Sequence, residues 1–237
     1  MDICEVLGVP FCVADMEKAI EEVEQNIDSL KGKYICFSNV HTTIMAGDDP
    51  EYMQVQRDAA YVFADGKPIS KKQRGKGFSA AGRVAGPDFM GEMFKRGGNI
   101  RHFFYGASEE TIGKLQAELA KKYPELKVSG FISPPFRKLT DSEDRAYVDA
   151  INSSGADILW VGLGAPKQEI WMHDHVGRVN AVMMGVGAGF DFHAGTVKRA
   201  PKWMQKLSLE WLYRMFQDPR RLFKRYIVTN TKYMHRV

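Results

Sequence analysis

A single carboxylate closes the apolar run YVFADG: Asp65 follows Tyr61, Val62, Phe63 and Ala64 and precedes Gly66. At the carboxyl end of a buried strand, facing a cleft, such a group can take a proton from a hydroxyl. At an Asp-Gly step it can equally bond its own backbone as a turn residue. Asn39, which ends ICFSN, holds the same edge position and can hydrogen-bond a sugar hydroxyl or cap the next helix. A different chemistry is suggested by VGLGAPKQEIW, where an apolar run breaks at Gly162 and Gly164 and continues into Pro166, Lys167, Gln168 and Glu169. Glycines let backbone approach a ligand, proline suits the first turn of a helix, and the N–H groups of a helix start favour an anion. Further glycine corners stand at Gly106 and at Gly185, Gly187 and Gly189. None completes the G-x-G-x-x-G fingerprint or a phosphate loop ending in Gly-Lys-Ser/Thr, so the corners imply a phosphate-bearing ligand of open type. No Asp-x-Asp pair is present, and His173 and His175 lie two apart on a predicted helix, pointing to different sides, so no metal is expected.

These residues must be held by elements that the hydrophobic pattern announces. Met16, Ile20, Val23, Ile27 and Leu30 make one helical stripe. KYICFSN and AYVFADG read as buried strands, IRHFFYGAS and LKVSGFISPPF as further strands, the latter followed by a Pro-Pro loop, and DILWVGLG and AVMMGVGAGF complete the set. EETIGKLQAELAKKY has acids in its first turn and lysines in its last, as the helix dipole prefers. Thr140 with Glu143 forms a capping box for a helix ending near Ser153. Strand alternating with helix predicts an α/β, Rossmann-like domain over residues 1–197, with a mostly parallel sheet and helices on both faces. Ligands of such sheets sit beyond the carboxyl ends of the strands, where the glycines are.

The chain has 237 residues, 44% hydrophobic and 26% charged, as in ordinary globular proteins. No apolar run is long enough to span a bilayer, and the N-terminus lacks a signal pattern. Cys4, Cys12 and Cys36 have no metal spacing, so reduced thiols in the cytoplasm are expected. The net charge of +4 is unevenly spread: residues 198–237 carry 11 Lys+Arg against 2 Asp+Glu, leaving 22 against 27 elsewhere. This basic segment is predicted to be a helical appendage. Trp203, Met204, Leu207, Trp211, Leu212, Met215 and Phe216 form one apolar stripe, Asp218-Pro219 starts a second helix, and Leu222, Phe223, Tyr226 and Ile227 line one side of it. Arg220, Arg221, Lys224 and Arg225 lie largely on the other side, an arrangement that fits a helix lying on an anionic bilayer. No groove-reading motif accompanies the charge, so nucleic acid is not expected as a partner.

Taken in order, the words ADG (64–66), RVAGPDF (83–89), FFYGAS (103–108), VGLGAPKQEIW (161–171), GVGAGFDFHAG (185–195), RAP (199–201) and LEWLYRMFQDPRRLFKRY (209–226) resemble the WecG/TagA/CpsF glycosyltransferases, glycosyltransferase family twenty-six. The resemblance implies an inverting transfer of a sugar, typically N-acetylmannosamine, from a UDP-sugar to undecaprenyl-diphosphate-linked N-acetylglucosamine, without a cofactor. Such products feed teichoic acid, common antigen or capsule. It implies Asp65 as general base, with Asn39 and Arg83 facing the acceptor. Gly164, Lys167 and Gln168 would lie near the donor diphosphate and Asp191 near the nucleoside, with Gly106, Phe136, Gly162, Pro166 and Gly187 in the same pocket. Arg199, Arg214, Arg220, Arg221, Lys224 and Arg225 would meet diphosphates or the membrane, placing a homo-oligomer on the inner face of the cell membrane. One departure is Phe37, two places before Asn39, where the pattern often has a small hydroxyl residue; a shifted sugar preference is expected from it. Two other classes stay open on the residues alone: a nicotinamide-dependent oxidoreductase, which would use the glycine corners, and a non-catalytic membrane adaptor, which would use the tail.

Overall fold

The computed structural model describes residues 1–201, 203–204, 209–217 and 219–236, without the side chains of Arg214, Arg221, Lys224, Arg225 and Tyr226. In chain order the elements begin with β1 (Ile3–Val6), β2 (Val9–Cys12), α1 (Met16–Gln25), α2 (Ile27–Leu30), β3 (Tyr34–Ser38), α3 (Val40–Asp48), α4 (Pro50–Arg57), β4 (Tyr61–Ala64), α5 (Lys67–Gly75) and α6 (Gly86–Arg96). They continue with β5 (Arg101–Gly106), α7 (Glu109–Lys122), β6 (Lys127–Ile132), α8 (Asp141–Ser153), β7 (Ile158–Gly162), α9 (Lys167–Asp174), β8 (Val182–Gly185) and α10 (Gly189–Ala194). Among the described residues of the tail lie α11 (Glu210–Gln217) and α12 (Pro219–Arg236).

Six strands form one sheet in the order β4-β3-β8-β7-β5-β6, and every neighbouring pair is parallel. Strands buried on both faces read as near-continuous apolar runs, which is why most of these six stand out in the sequence, whereas edge strand β6 (KVSGFI) is exposed to half-buried. On one face, Tyr52 and Val55 of α4, Ile151 of α8 and Met172 of α9 join the core. On the other, Ile20 of α1, Phe89 and Phe94 of α6, Leu115 of α7 and Phe190 of α10 do so. The predicted α/β architecture with a covered parallel sheet is therefore the observed one.

Two local differences have physical causes. The stripe from Met16 to Leu30 is broken at Asn26, whose side-chain amide donates to the Glu22 carbonyl at 2.8 Å and so competes with the helix. An antiparallel hairpin of β1 and β2, not anticipated, turns at Leu7 and Gly8 with φ of 52° and 86°. A type I′ hairpin turn needs positive φ at both central residues, and leucine at the first disguises the signal. The capping box of Thr140 and Glu143 is present as predicted, the Glu143 carboxylate accepting from the Thr140 N–H at 2.8 Å.

Candidate active site

Parallel strands all point the same way, so the turns that follow β3, β4, β7 and β8 gather at one edge of the sheet. They enclose a cleft of about 760 Å³. Asn39, Asp65, Arg83, Phe136, Gly162, Gly164, Pro166, Lys167, Gln168, Gly187, Asp191 and Arg199 all line it. Twelve residues singled out over a span of 161 positions thus meet in one cavity.

Asp65 directly follows β4, and its N–H donates to the Ser38 carbonyl at 2.9 Å, which extends the β3–β4 pairing one residue towards the cleft. Asn39 stands at the equivalent place after β3 and caps α3: its Oδ1 accepts from the His41 N–H at 3.0 Å and the Thr42 N–H at 3.4 Å. The capping use open to Asn39 is therefore realised. Phe37 lines the cleft but belongs mainly to the core, its ring 5.2 Å from that of Phe89 and in contact range of any side chain placed at Gly86. Ser38, immediately after it, is buried and donates to Gln56 Oε1.

The turn after β7 is tied to the turn after β8 by one side chain. Gln168 Oε1 accepts from the Gly164 N–H at 3.2 Å and from the Gly187 N–H at 3.0 Å, while its Nε2 donates to Glu169 at 2.7 Å. Gln168 is 4% exposed. Its polar atoms face protein rather than open cleft, so the N–H of Gly164 is engaged within the turn. Lys167, the first residue of α9, and Pro166, its N-cap, border the cleft beside them. Asp191 lies on α10, where its Oδ1 accepts from the Thr196 hydroxyl at 3.1 Å. Phe136, after the Pro134-Pro135 step, stands 88% exposed on the rim. Gly106 does not line the cleft. It has φ of 133°, and a Cβ there would lie 2.6 Å from the backbone of Gly162, so its bareness serves the contact between two strand ends.

The opposite wall contains a closed ring of charge. Arg83 reaches Asp88 at 2.8 Å and Glu210 at 3.1 Å; Arg199 pairs with the same Asp88 and with Glu210 at 3.3 Å. The Arg199 guanidinium also lies 5.5 Å from the centroid of the Phe192 ring. Burial pushes the Asp88 carboxyl up, but the hydrogen bonds and charges of Arg199 and Arg83 outweigh it and hold the group below its usual range. Both arginines are thus neutralised by carboxylates, a state that the basic count of the tail does not reveal. Glu210, one of two acids in residues 198–237, was the signal available.

The tail also lines the cleft. Trp211 of α11 and Leu222, Thr229 and Asn230 of α12 line the cleft, and none of these four figures among the sequence candidates. Helix α12 lies along α3, with Lys232 and Arg236 on Asp48 at 2.5 and 2.7 Å. The apolar side predicted for this helix is split: Leu222 is 2% exposed, whereas Phe223 and Ile227 are 54% and 49% exposed. Arg220 is exposed at the start of α12. The side chains of Arg214, Arg221, Lys224 and Arg225, together with Leu207 and Asp218, lie outside the described residues. Among the described residues no helix is long and apolar enough to cross a membrane, and no cluster of three or more His, Cys, Asp or Glu is placed to hold a metal ion. His173 meets Asp58 at 3.1 Å, and the buried His175 meets Asp144 at 3.0 Å.

Comparison with known proteins supplies an independent finding. The family model for the glycosyl transferase WecG/TagA/CpsF family matches residues 4–237. The chain is also similar to the N-acetylglucosaminyldiphosphoundecaprenol N-acetyl-beta-D-mannosaminyltransferase of Staphylococcus aureus strain MW2, at 30% identity over 227 residues, 92% of this chain and 86% of the relative. The protein of the same name from strain NCTC 8325 / PS 47 matches to the same extent.

Proposed function

The chain belongs to the WecG/TagA/CpsF family and is a glycosyltransferase, and from that premise we propose that it moves an N-acetylhexosamine, N-acetylmannosamine first among them, from a UDP-sugar to a lipid-linked N-acetylglucosamine diphosphate. The oxidoreductase and adaptor readings are set aside by the family. The observation that carries the proposal is the meeting of Asp65 with Asn39 on one side of the cleft and with Lys167 and the two glycine turns on the other.

In this reading Asp65 takes the proton of the acceptor hydroxyl as its oxygen attacks the anomeric carbon. The new C–O bond forms as the bond to the β-phosphate oxygen breaks, and configuration inverts because attack and departure use opposite faces. The negative charge that builds on UDP is met by Lys167 and by the start of α9, preorganised groups that need no rearrangement at the moment of transfer. Gln168 acts at one remove by fixing the two turns, and Asp191 serves the nucleoside. The exposed Phe223 and Ile227 of α12, with Arg220, would rest on an anionic membrane, where a lipid-linked acceptor resides.

Asp65→Asn is the test. It should abolish transfer while UDP binding, measured by calorimetry, stays within about two-fold of the unaltered protein, because the amide is isosteric and only the base is lost. Near-normal turnover by this variant would remove Asp65 from the role.

A further inference from the structure

The acidic balance of the body conceals a second basic surface. Between Gly66 and Pro87 there are six Lys and Arg residues, Lys67, Lys71, Lys72, Arg74, Lys76 and Arg83, of which Arg83 is already paired with Asp88 and Glu210, and no Asp or Glu. Five of them sit on or just after α5, whose inner side is fixed by buried Ile69, Ser70 and Gln73. Lys67, Lys71 and Arg74 are spaced four and three apart, which sets them in one row along the helix. The row starts at the cleft, which Lys67 lines, and runs outward through exposed Lys71 and Arg74. Lys76 continues the exposed basic surface just beyond the helix. Arg74 and Lys76 spend hydrogen bonds on backbone carbonyls only, at Ala81 (2.9 Å) and Glu5 (2.7 Å), so their charges are not cancelled there. The Glu5 carboxylate pairs instead with Arg57.

Helix α5 meets α12 at one hydrogen bond. Tyr233 donates to the Pro68 carbonyl at 3.2 Å, joining the two helices beside the cleft. The helix that bears exposed Phe223, Ile227 and Met234 therefore touches an acid-free basic helix at Tyr233, next to Met234. Apolar side chains to enter the acyl boundary, flanked by cations for the phosphates, match the chemistry of an anionic bilayer surface. We infer that α5, through Lys71 and its neighbours, is a second membrane-docking element that sets the cleft against the headgroups. This inference rests on the membrane reading of α12.

The test is sedimentation of the full chain with vesicles of equal parts phosphatidylcholine and phosphatidylglycerol, and with phosphatidylcholine alone. Each cation near such a surface strengthens partitioning about five-fold. Lys71→Gln should weaken binding by about that factor and Lys71→Glu by its square, roughly thirty-fold, with Lys71→Arg restoring it. Melting temperature and UDP binding of these variants should not move, since the side chain is exposed and outside the cleft lining. If Lys71→Glu binds like the unaltered protein while Phe223→Ser with Ile227→Ser does not, α5 is no docking element although the tail is. If the unaltered protein binds neither vesicle, the membrane reading itself fails and this inference with it. Equal weakening on phosphatidylcholine alone would refute a charge-based role, and so would a loss confined to heparin binding.

Discussion

Gln168 Oε1 and the Gly187 N–H lie 3.0 Å apart, although the two residues belong to turns after different strands. The same oxygen holds Gly164. Removing it strands two donors in a nearly buried place, at about 1–3 kcal/mol each. Gln168→Ala is therefore expected to lower the melting temperature and to raise the KM for donor without abolishing turnover. Calorimetry and initial rates check both; an unchanged melting temperature would show that the turns hold themselves.

Gly106 and Gly162 touch backbone to backbone, which separates packing from ligand binding. Gly106→Ala places a methyl group 2.6 Å from a carbonyl carbon at a φ of 133°. The expected outcome is destabilisation by more than about 1 kcal/mol, from strain and clash together. Urea unfolding reads it directly, and the folded fraction should keep its affinity for UDP.

Leu222 and Phe223 are adjacent in sequence and opposite in burial. Leu222→Ala should cost about 2–5 kcal/mol if the tail unfolds with the body. Phe223→Ala should stay within about 0.5 kcal/mol. Denaturation midpoints of the two variants test whether α12 is integral to the fold; two equal, small effects would mean that it is not.

Asp48 and Asp88 predict an acid-sensitive tail. Hydrogen bonds from Lys232 and Arg236 lower the Asp48 carboxyl, and Asp88 is lowered by its arginines against the effect of burial. Groups whose folded value is depressed stabilise above the unfolded value near 3.8 and lose that contribution as pH falls through the folded one. Tryptophan fluorescence should therefore stay level down to about pH 4 and change below it. Asp88→Asn should show a weaker acid transition, because one of these two carboxylates no longer titrates.

Much of this was legible in the chain, and the exceptions at the cleft share a cause. The inner strands were visible because burial on both faces leaves apolar words, and the α8 cap because Thr140 and Glu143 are three residues apart. The cleft was visible because parallel strands bring their glycine-ended turns to one edge. What stayed hidden depends on partners distant in sequence. Gln168 finds Gly187 nineteen residues on, and Arg83 finds Glu210 at a separation of 127. No local pattern encodes either pairing. The stripe on α12 gave a helix but not its rotation against α3, so Leu222 and Phe223 could not be told apart.

The ring of Arg83, Asp88, Arg199 and Glu210 sums to no charge at all. An anion that reaches that wall meets guanidinium groups already paired with carboxylates. If it displaces Glu210, the hold of α11 on the body loosens in the same event. Ligand occupancy and tail attachment then draw on a single set of guanidinium contacts.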